Sequence, residues 1–226
     1  MHICQLAGEY PNRWGGLGTA AYNLSKALAS KGHKITVITR KGGGNYPKIE
    51  GVDVIEVKWV KIPMEFTRSF GRRALKSLEK LHKDSPVDII HFHAPLIAWN
   101  ENQFRKANAI APIVTSLHGS WLGERRGLIS SAKFGEPGTW GNVNDIGIRM
   151  LANHYAKFEN IAIQNSDICV ANSIATKNDF LSNYEPPKNW NCESILWGID
   201  AQLYRPIHSD SEDDSVRASE IRKKYG

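Results

Sequence analysis

Cysteine is scarce in this chain. Cys4, Cys169 and Cys192 lie far apart, are odd in number and form no C-x-x-C pair. That pattern excludes a disulfide framework and a cysteine-rich zinc site, and it suits a reducing cytosol. Two of the three sit in runs of strand character, where a thiol is a small apolar filler. Long apolar runs are missing as well: none reaches the roughly 18–20 residues that span a bilayer. The opening "MHICQLAGEYPNRW" shows neither the basic n-region nor the apolar h-region of a secretory signal. Histidines and acids do not gather at metal-ligand spacing, and His91 and His93 at i, i+2 are insufficient. No metal and no cofactor is therefore assigned. No internal repeat is visible.

What remains is an ordinary globular composition. The 226 residues, 41% hydrophobic and 23% charged, allow one large domain or two small ones. The net charge of +6 favours anionic partners, and residues 67–83 carry much of it, while residues 210–214 form an acidic run. No recognisable nucleic-acid-binding module accompanies the charge, so nucleic acid is not expected as a partner.

Apolar runs of strand length recur at 2–7, 34–39, 52–60, 87–92, 113–117, 167–171 and 194–197. Several are nearly continuous, which fits parallel strands covered on both faces. Helical patterns over 18–31, 66–82, 97–109, 146–165 and 173–183 separate them, with Gly32 closing the first and Ser173 capping the last. The alternation predicts an α/β fold: a Rossmann-like, doubly wound, mainly parallel sheet. Ligands of such sheets bind beyond the carboxyl ends of the strands. Regular patterning ends at Pro206. Residues 207–215 have a linker's composition, and 216–225 carry helical charge spacing without a core.

Gly16-Leu17-Gly18-Thr19-Ala20-Ala21 matches the G-x-G-x-x-A of dinucleotide-binding turns, but the context is wrong. Gly16 follows the first strand by about nine residues, and strand two ends in Arg40 and Lys41 rather than an acid. A phosphorylated dinucleotide would suit those bases but not the long loop. The glycines themselves permit close backbone approach, and the following helix aims amide donors and partial positive charge at the loop. A phosphate or diphosphate fits there; the bland alternative is a tight turn with close helix packing.

Four stretches then come in one order. "GGLGTAAYNLSKALASKGHKITVIT" resembles the opening G-G-x-G…G-H-x-V-x-V-x-T pattern of family-4 retaining glycosyltransferases. "VDIIHFHAP" is similar to that family's D-[IV]-[IV]-H-x-H segment, and "PIVTSLHGSW" to its P-x-V-x-T-x-H-[GD] segment. "NSDICVANSIATKNDFL" with "ILWGIDAQLYRP" resembles its A-D-x-[IV]-[IV]-x-x-S and [IV]-x-N-G-[IV]-D pair. The resemblance covers about residues 1–206 and is poorest over 118–145. It implies the N-terminal, acceptor-side half of a GT-B fold. It also implies a nucleotide-sugar donor (UDP-, GDP- or ADP-sugar), a carbohydrate or lipid-linked acceptor, and a C-terminal domain that holds most of the donor.

Carried onto this sequence, the resemblance places Gly15, Gly16 and Gly18 at the donor diphosphate and makes His118 the active-site histidine. Tyr10, Arg13, Trp14, Trp121 and Ser173 are expected toward the acceptor. His91 and His93 would be structural. Two departures stand out: Trp197 replaces the usual asparagine before G-[IV]-D, and Arg13 only approximates the lysine of glucan synthases. The E-x7-E segment of the second domain is not in these 226 residues, so the chain alone is expected not to complete transfer. The segment 118–145 reads as a long polar loop whose Trp121 and Trp140 stack on sugar rings or merely pack beneath it. Residues 66–83 read as a basic amphipathic helix. Arg72, Arg73 and Lys76 would meet an anionic membrane surface, a peripheral site on its inner face, or else form the solvated side of a helix packed on the sheet. A non-catalytic carbohydrate- or nucleotide-binding module, an epimerase of the same architecture and a dinucleotide oxidoreductase are the other readings.

Overall fold

The computed structural model describes residues 1–11, 15–42, 47–136, 141–198 and 212–225. Seven strands pair in parallel: β1 (His2–Ala7), β2 (Lys34–Arg40), β3 (Val52–Val57), β4 (Ile89–Ala94), β5 (Ile113–Leu117), β6 (Ile168–Ala171) and β7 (Cys192–Ser194). Their order in the sheet is β3-β2-β1-β4-β5-β6-β7. The described helices are α1 (Gly16–Ser30), α2 (Glu65–Asp84), α3 (Glu101–Asn108), α4 (Trp121–Lys133), α5 (Val143–Asn165), α6 (Ile174–Asn183) and α7 (Glu212–Tyr225). This is the doubly wound Rossmann-like sheet that the patterning predicts. The chain winds one way from β1 through β3 and the other way from β4 onward, so the order reverses between β1 and β4. Such a switch point is where ligands bind in open α/β sheets.

The two faces of the sheet differ. Cys4 and Leu6 of β1 and Ile90 and Phe92 of β4 share one face, whose core includes Phe70, Leu78, Trp99, Phe104 and Phe180. Ile3 and Ala7 turn to the opposite face, with Ile35, Val37, Leu17 and Ala21 of the α1 side. By the period of two, Gln5, His91 and His93 belong to this second face, which becomes polar across the centre of the sheet. The three thiols are buried in β1, β6 and β7. Burial pushes the Cys169 thiol up to about 12 and moves the other two upward as well, so all three are unreactive fillers.

Local chemistry explains the helix ends. α1 closes as a Schellman motif: the His33 amide donates to Leu28 and the Gly32 amide to Ala29, with Gly32 at φ 81°. α6 starts at Ser173, whose hydroxyl accepts the Thr176 amide at 3.0 Å. α3 starts at Glu101 rather than residue 97, because Asn100 and Gln103 form a reciprocal capping box. The preceding Ile97, Ala98 and Trp99 are buried ahead of the helix.

Three further expectations need correction. The segment read as a polar loop contains α4 and the start of α5. Ser120 caps α4 by accepting the Gly123 amide, and Trp121 enters a core with Met64, Ala98, Ala152 and Tyr155. The last strand runs Cys192–Ser194, not 194–197: Cys192 pairs with buried Cys169, whereas Ile195, Leu196 and Trp197 are exposed. α1 begins at Gly16, two residues early, with Gly15 as its cap. The chain divides into two compact units, Met1–Leu196 and Trp197–Gly226. In the second, α7 buries none of its described side chains.

Candidate active site at the sheet switch point

The loops after β1 and β4 are pressed together at the switch point. A Cβ on Gly8 would come within 2.6 Å of the Leu96 Cβ, so glycine is required for this approach. Arg40, 6% exposed at the end of β2, braces the same loop. Its Nε–H donates to the Gly8 carbonyl, and its guanidinium pairs with Glu9 at 3.4 Å. The guanidinium also stacks over Trp59 at 4.9 Å and Phe66 at 4.6 Å. Arg40 is thus a structural strut rather than a base presented to a dinucleotide phosphate, which removes the main attraction of the oxidoreductase reading.

α1 opens beside this loop. Gly15 caps it without a side-chain acceptor, and its first turn contains no acid. A Cβ on Gly15 would press on the Glu9 carboxylate, whereas one on Gly16 would meet open space. Gly18 is buried within the helix. The leading amides and the positive end of the helix dipole therefore lie at the loop with no carboxylate of α1's own first turn against them. Arg13 and Trp14 lie outside the described residues.

Histidines line the polar part of the sheet face. His93 Nδ1 lies 2.8 Å from His118 Nε2, and His93 Nε2 lies 3.2 Å from Gln5 Oε1. His91 Nε2 bonds the Ser116 hydroxyl at 2.7 Å. The rings stack, His91 on His93 at 4.4 Å and His93 on His118 at 5.1 Å. Register explains the grouping: Ala7 pairs with His93, and His93 with Ser116, two residues before His118. Burial disfavours the charged form and lowers His91 and His118 to about 4, with their neighbours adding to the effect at His118. His93 falls further, from burial and from both flanking histidines. All three are neutral imidazoles at pH 7.

His118 follows β5 directly and is half-buried. Asn172 donates to its carbonyl at 3.2 Å, and Thr176 donates to the Asn172 side chain at 2.6 Å. The peptide after His118 is thereby tied to the start of α6. Farther along, Glu159 of α5, 4% exposed, accepts the Trp121 amide with both oxygens at 3.1 Å and the Tyr184 hydroxyl at 2.5 Å. Burial pushes Glu159 up to about 8, against the pull of those hydrogen bonds. Ser120 donates to Asp179 at 2.5 Å, and Arg126 pairs with the same carboxylate.

A family model for "Glycosyltransferase Family 4" matches residues 14–203. The chain belongs to glycosyltransferase family 4. Among curated relatives, glycogen synthase from Mycobacterium tuberculosis (strains CDC 1551 / Oshkosh and ATCC 25618 / H37Rv) is 30% identical over 153 residues. That match covers 58% of this chain and 37% of the relative. Among solved structures, sucrose-phosphate synthase from Thermosynechococcus elongatus gives a TM-score of 0.63 at 14% identity, over 92% of this chain and 50% of that one. A glycosyltransferase from Rickettsia africae ESF-5 gives 0.61 at 16% identity, over 100% of this chain and 50% of that one. WaaG, a glycosyltransferase involved in lipopolysaccharide biosynthesis, gives 0.56 at 15%, over 97% and 51%. The structural likenesses establish a shared fold. The chain spans about half the length of these structures and just over a third of the curated relatives it matches.

Within this family-4 chain the anticipated residues separate into two groups. His118 and the Gly15–Gly16 cap stand at the carboxyl edge of the sheet. Of the residues expected toward the acceptor, Tyr10 is buried against Tyr22 at 5.7 Å, and Trp121 is 5% exposed and packs in the core. The Ser173 hydroxyl is engaged as a helix cap. On α2, Phe70, Ala74 and Leu78 are fully buried against the sheet, so the helix cannot insert an apolar face into lipid while folded. Its opposite side carries Arg72, Arg73 and Lys76, which with Lys106, Asn100 and Gln103 line a groove of about 460 Å³. Arg72 pairs with Glu65 at 3.2 Å. No described helix is long and apolar enough to cross a membrane, and no metal-binding cluster occurs among the described residues. Gln5, Asn172 and Glu159 were not singled out by motif. Asn172 precedes the Ser173 cap within "VANSIA", where its role depends on the His118 carbonyl beyond the end of β5.

Proposed function

We propose that this chain is the acceptor-side domain of a retaining glycosyltransferase that moves a sugar from a nucleotide-sugar to a hydroxyl acceptor. The observation that carries this reading is one juxtaposition at the carboxyl edge. A helix start capped by Gly15, with no acid in its own first turn and the Glu9 carboxylate beside it, follows β1, and a neutral histidine, anchored through its own carbonyl, follows β5. The first suits a diphosphate through backbone amides and helix dipole. The second offers one donor or acceptor and a fixed carbonyl dipole to a sugar whose anomeric carbon gains positive charge in the transition state. Among the similar structures, a transferase from Siraitia grosvenorii solved in complex with UDP supports a nucleotide-sugar donor.

On this reading residues 1–206 form the acceptor-side domain and 207–226 lead toward a second, donor-holding domain, so that transfer needs both. Incubation of the 226-residue chain with UDP-, GDP- and ADP-glucose and oligosaccharide acceptors should yield no glycoside. Supplying the donor domain should restore transfer. Robust transfer by the chain alone contradicts the division of labour.

The basic side of α2 supports an electrostatic contact with an anionic membrane surface, since the apolar side is already occupied. Flotation with anionic and neutral vesicles at two salt concentrations tests it. Binding confined to anionic vesicles and lost in salt is expected, and equal binding to both contradicts it.

A further inference from the structure

We propose that Gln5 and His93 are positioning residues that hold the His118 imidazole in its Nε2–H tautomer and so leave its lone pair on Nδ1. This rests on the reading of His118 as a sugar-contacting residue, and it adds which polarity that residue presents and what sets it.

Each ring in the Gln5–His93–His118 hydrogen-bond series has one proton to place. A neutral imidazole carries one N–H, so each ring donates from one nitrogen and accepts at the other. Gln5 turns its amide oxygen to His93 Nε2 at 3.2 Å, and an amide oxygen only accepts, so His93 carries its proton on Nε2. His93 Nδ1 is then a lone pair. The contact of 2.8 Å to His118 Nε2 requires the proton there, which leaves the lone pair of His118 on Nδ1. Each step follows from the Gln5 amide orientation, in which Oε1 faces His93 and the buried Nε2 makes no hydrogen bond. Turning that amide over would reverse all three assignments and convert His118 Nδ1 from acceptor to donor.

The surroundings keep the chain in single file. His91 does not compete for His93, because its Nε2 bonds Ser116 while its ring stacks on His93 at 4.4 Å and fixes the ring plane. Gln5 is fully buried at the middle of β1, with no charged group in the chain. Burial keeps His91, His93 and His118 neutral well below pH 7, so the one-proton count holds under ordinary conditions. A glutamine in a β1 otherwise closed by Ile3, Cys4, Leu6 and Ala7 gains a purpose on this account. An apolar residue would fill the space but leave the tautomer to chance.

Long-range ¹H–¹⁵N correlation spectra of the ¹⁵N-labelled 226-residue chain at neutral pH read the tautomers directly. Both His93 and His118 should show protonated Nε2 and unprotonated Nδ1. Gln5→Met, close in volume, should raise the Nδ1–H population of His118 about fivefold or more, the ratio expected for losing one neutral hydrogen bond. His93→Phe keeps a stacked ring without nitrogens and should do the same, giving an independent arm if Gln5→Met fails to fold. A His118 protonated on Nδ1 in the parent chain overturns the proposal. So does an unchanged tautomer ratio in either variant with a native amide spectrum. A separate titration of the parent chain with a nucleotide-sugar reports on the sugar-contact reading itself. The tautomer result and that binding result can therefore fail independently.

Discussion

Two buried polar clusters flank the end of β5, and they are built for different ends. On one side Gln5, His93 and His118 form an open chain that finishes at a half-buried ring. On the other, Glu159 receives the Trp121 amide and the Tyr184 hydroxyl and is enclosed by them. Both contain titratable groups moved far from their ordinary range by the same cause, desolvation, so a displaced pKa does not separate function from structure. What separates them is where the hydrogen bonds lead. The histidine chain runs to the carboxyl edge of the sheet; the glutamate ties α4, α5 and the segment after α6 together.

The clusters also respond to pH in opposite directions. The folded histidines, lowered to about 4 at His91 and His118 from 6.5, bind fewer protons than the unfolded chain between those values. Their contribution is therefore present above about pH 6.5 and lost as pH falls toward 4. Glu159, raised to about 8 from 4.5, binds more protons when folded. Its contribution is present below about pH 4.5 and lost as pH rises through 8.

Emptying the enclosed side should have the largest effect. Trp121→Ala should cost about 3–5 kcal/mol, the usual range for deleting a buried aromatic, measured by urea denaturation. A loss below about 1 kcal/mol would mean that the indole is not core. Glu159→Ala should cost about 2–4 kcal/mol by stranding the Trp121 amide and the Tyr184 hydroxyl. Glu159→Gln should cost less and flatten the decline in stability between pH 5 and 8; an unchanged pH slope would assign that decline elsewhere. The open side should behave the other way. His118→Ala should change stability by no more than about 1 kcal/mol, yet lower transfer by the complete enzyme about a hundredfold, the scale for removing one preorganised polar contact. The smallest effect belongs to Gly16→Ala. Because Gly16 faces open space, the variant should be as stable as the parent or up to about 1 kcal/mol more so, while binding nucleotide diphosphate more weakly. Stability gained with binding unchanged would detach Gly16 from the site.

The sheet was legible because its strands carry continuous apolar runs: β1 and β5 begin and end where the run does. α2 was legible for a similar reason, with Phe70, Ala74 and Leu78 repeating along one side. α4 was not. Gly119, Gly123 and Gly127 read as loop residues, and only Trp121 of that helix is fully buried, so it shows no apolar periodicity. Its start is held instead by Glu159, far along the chain, a contact that local spacing does not encode. The site divided in the same way. Order and motif name His118 and the glycines at the start of α1, and the structure sets both at the carboxyl edge of the sheet. Gln5 was hidden because a buried glutamine in an apolar strand has meaning only once β4 brings His93 beside it.

The most direct test of a sugar-nucleotide site at the switch point is an amide-resolved NMR titration of the 226-residue chain with UDP-, GDP- and ADP-glucose. One of them should shift the amides of Gly15, Gly16 and Leu17 together with that of Gly119, which follows His118. Those around Glu159 and Tyr184 should stay in place. Shifts confined to the Glu159 side, or none at any of these positions at millimolar ligand, would contradict it.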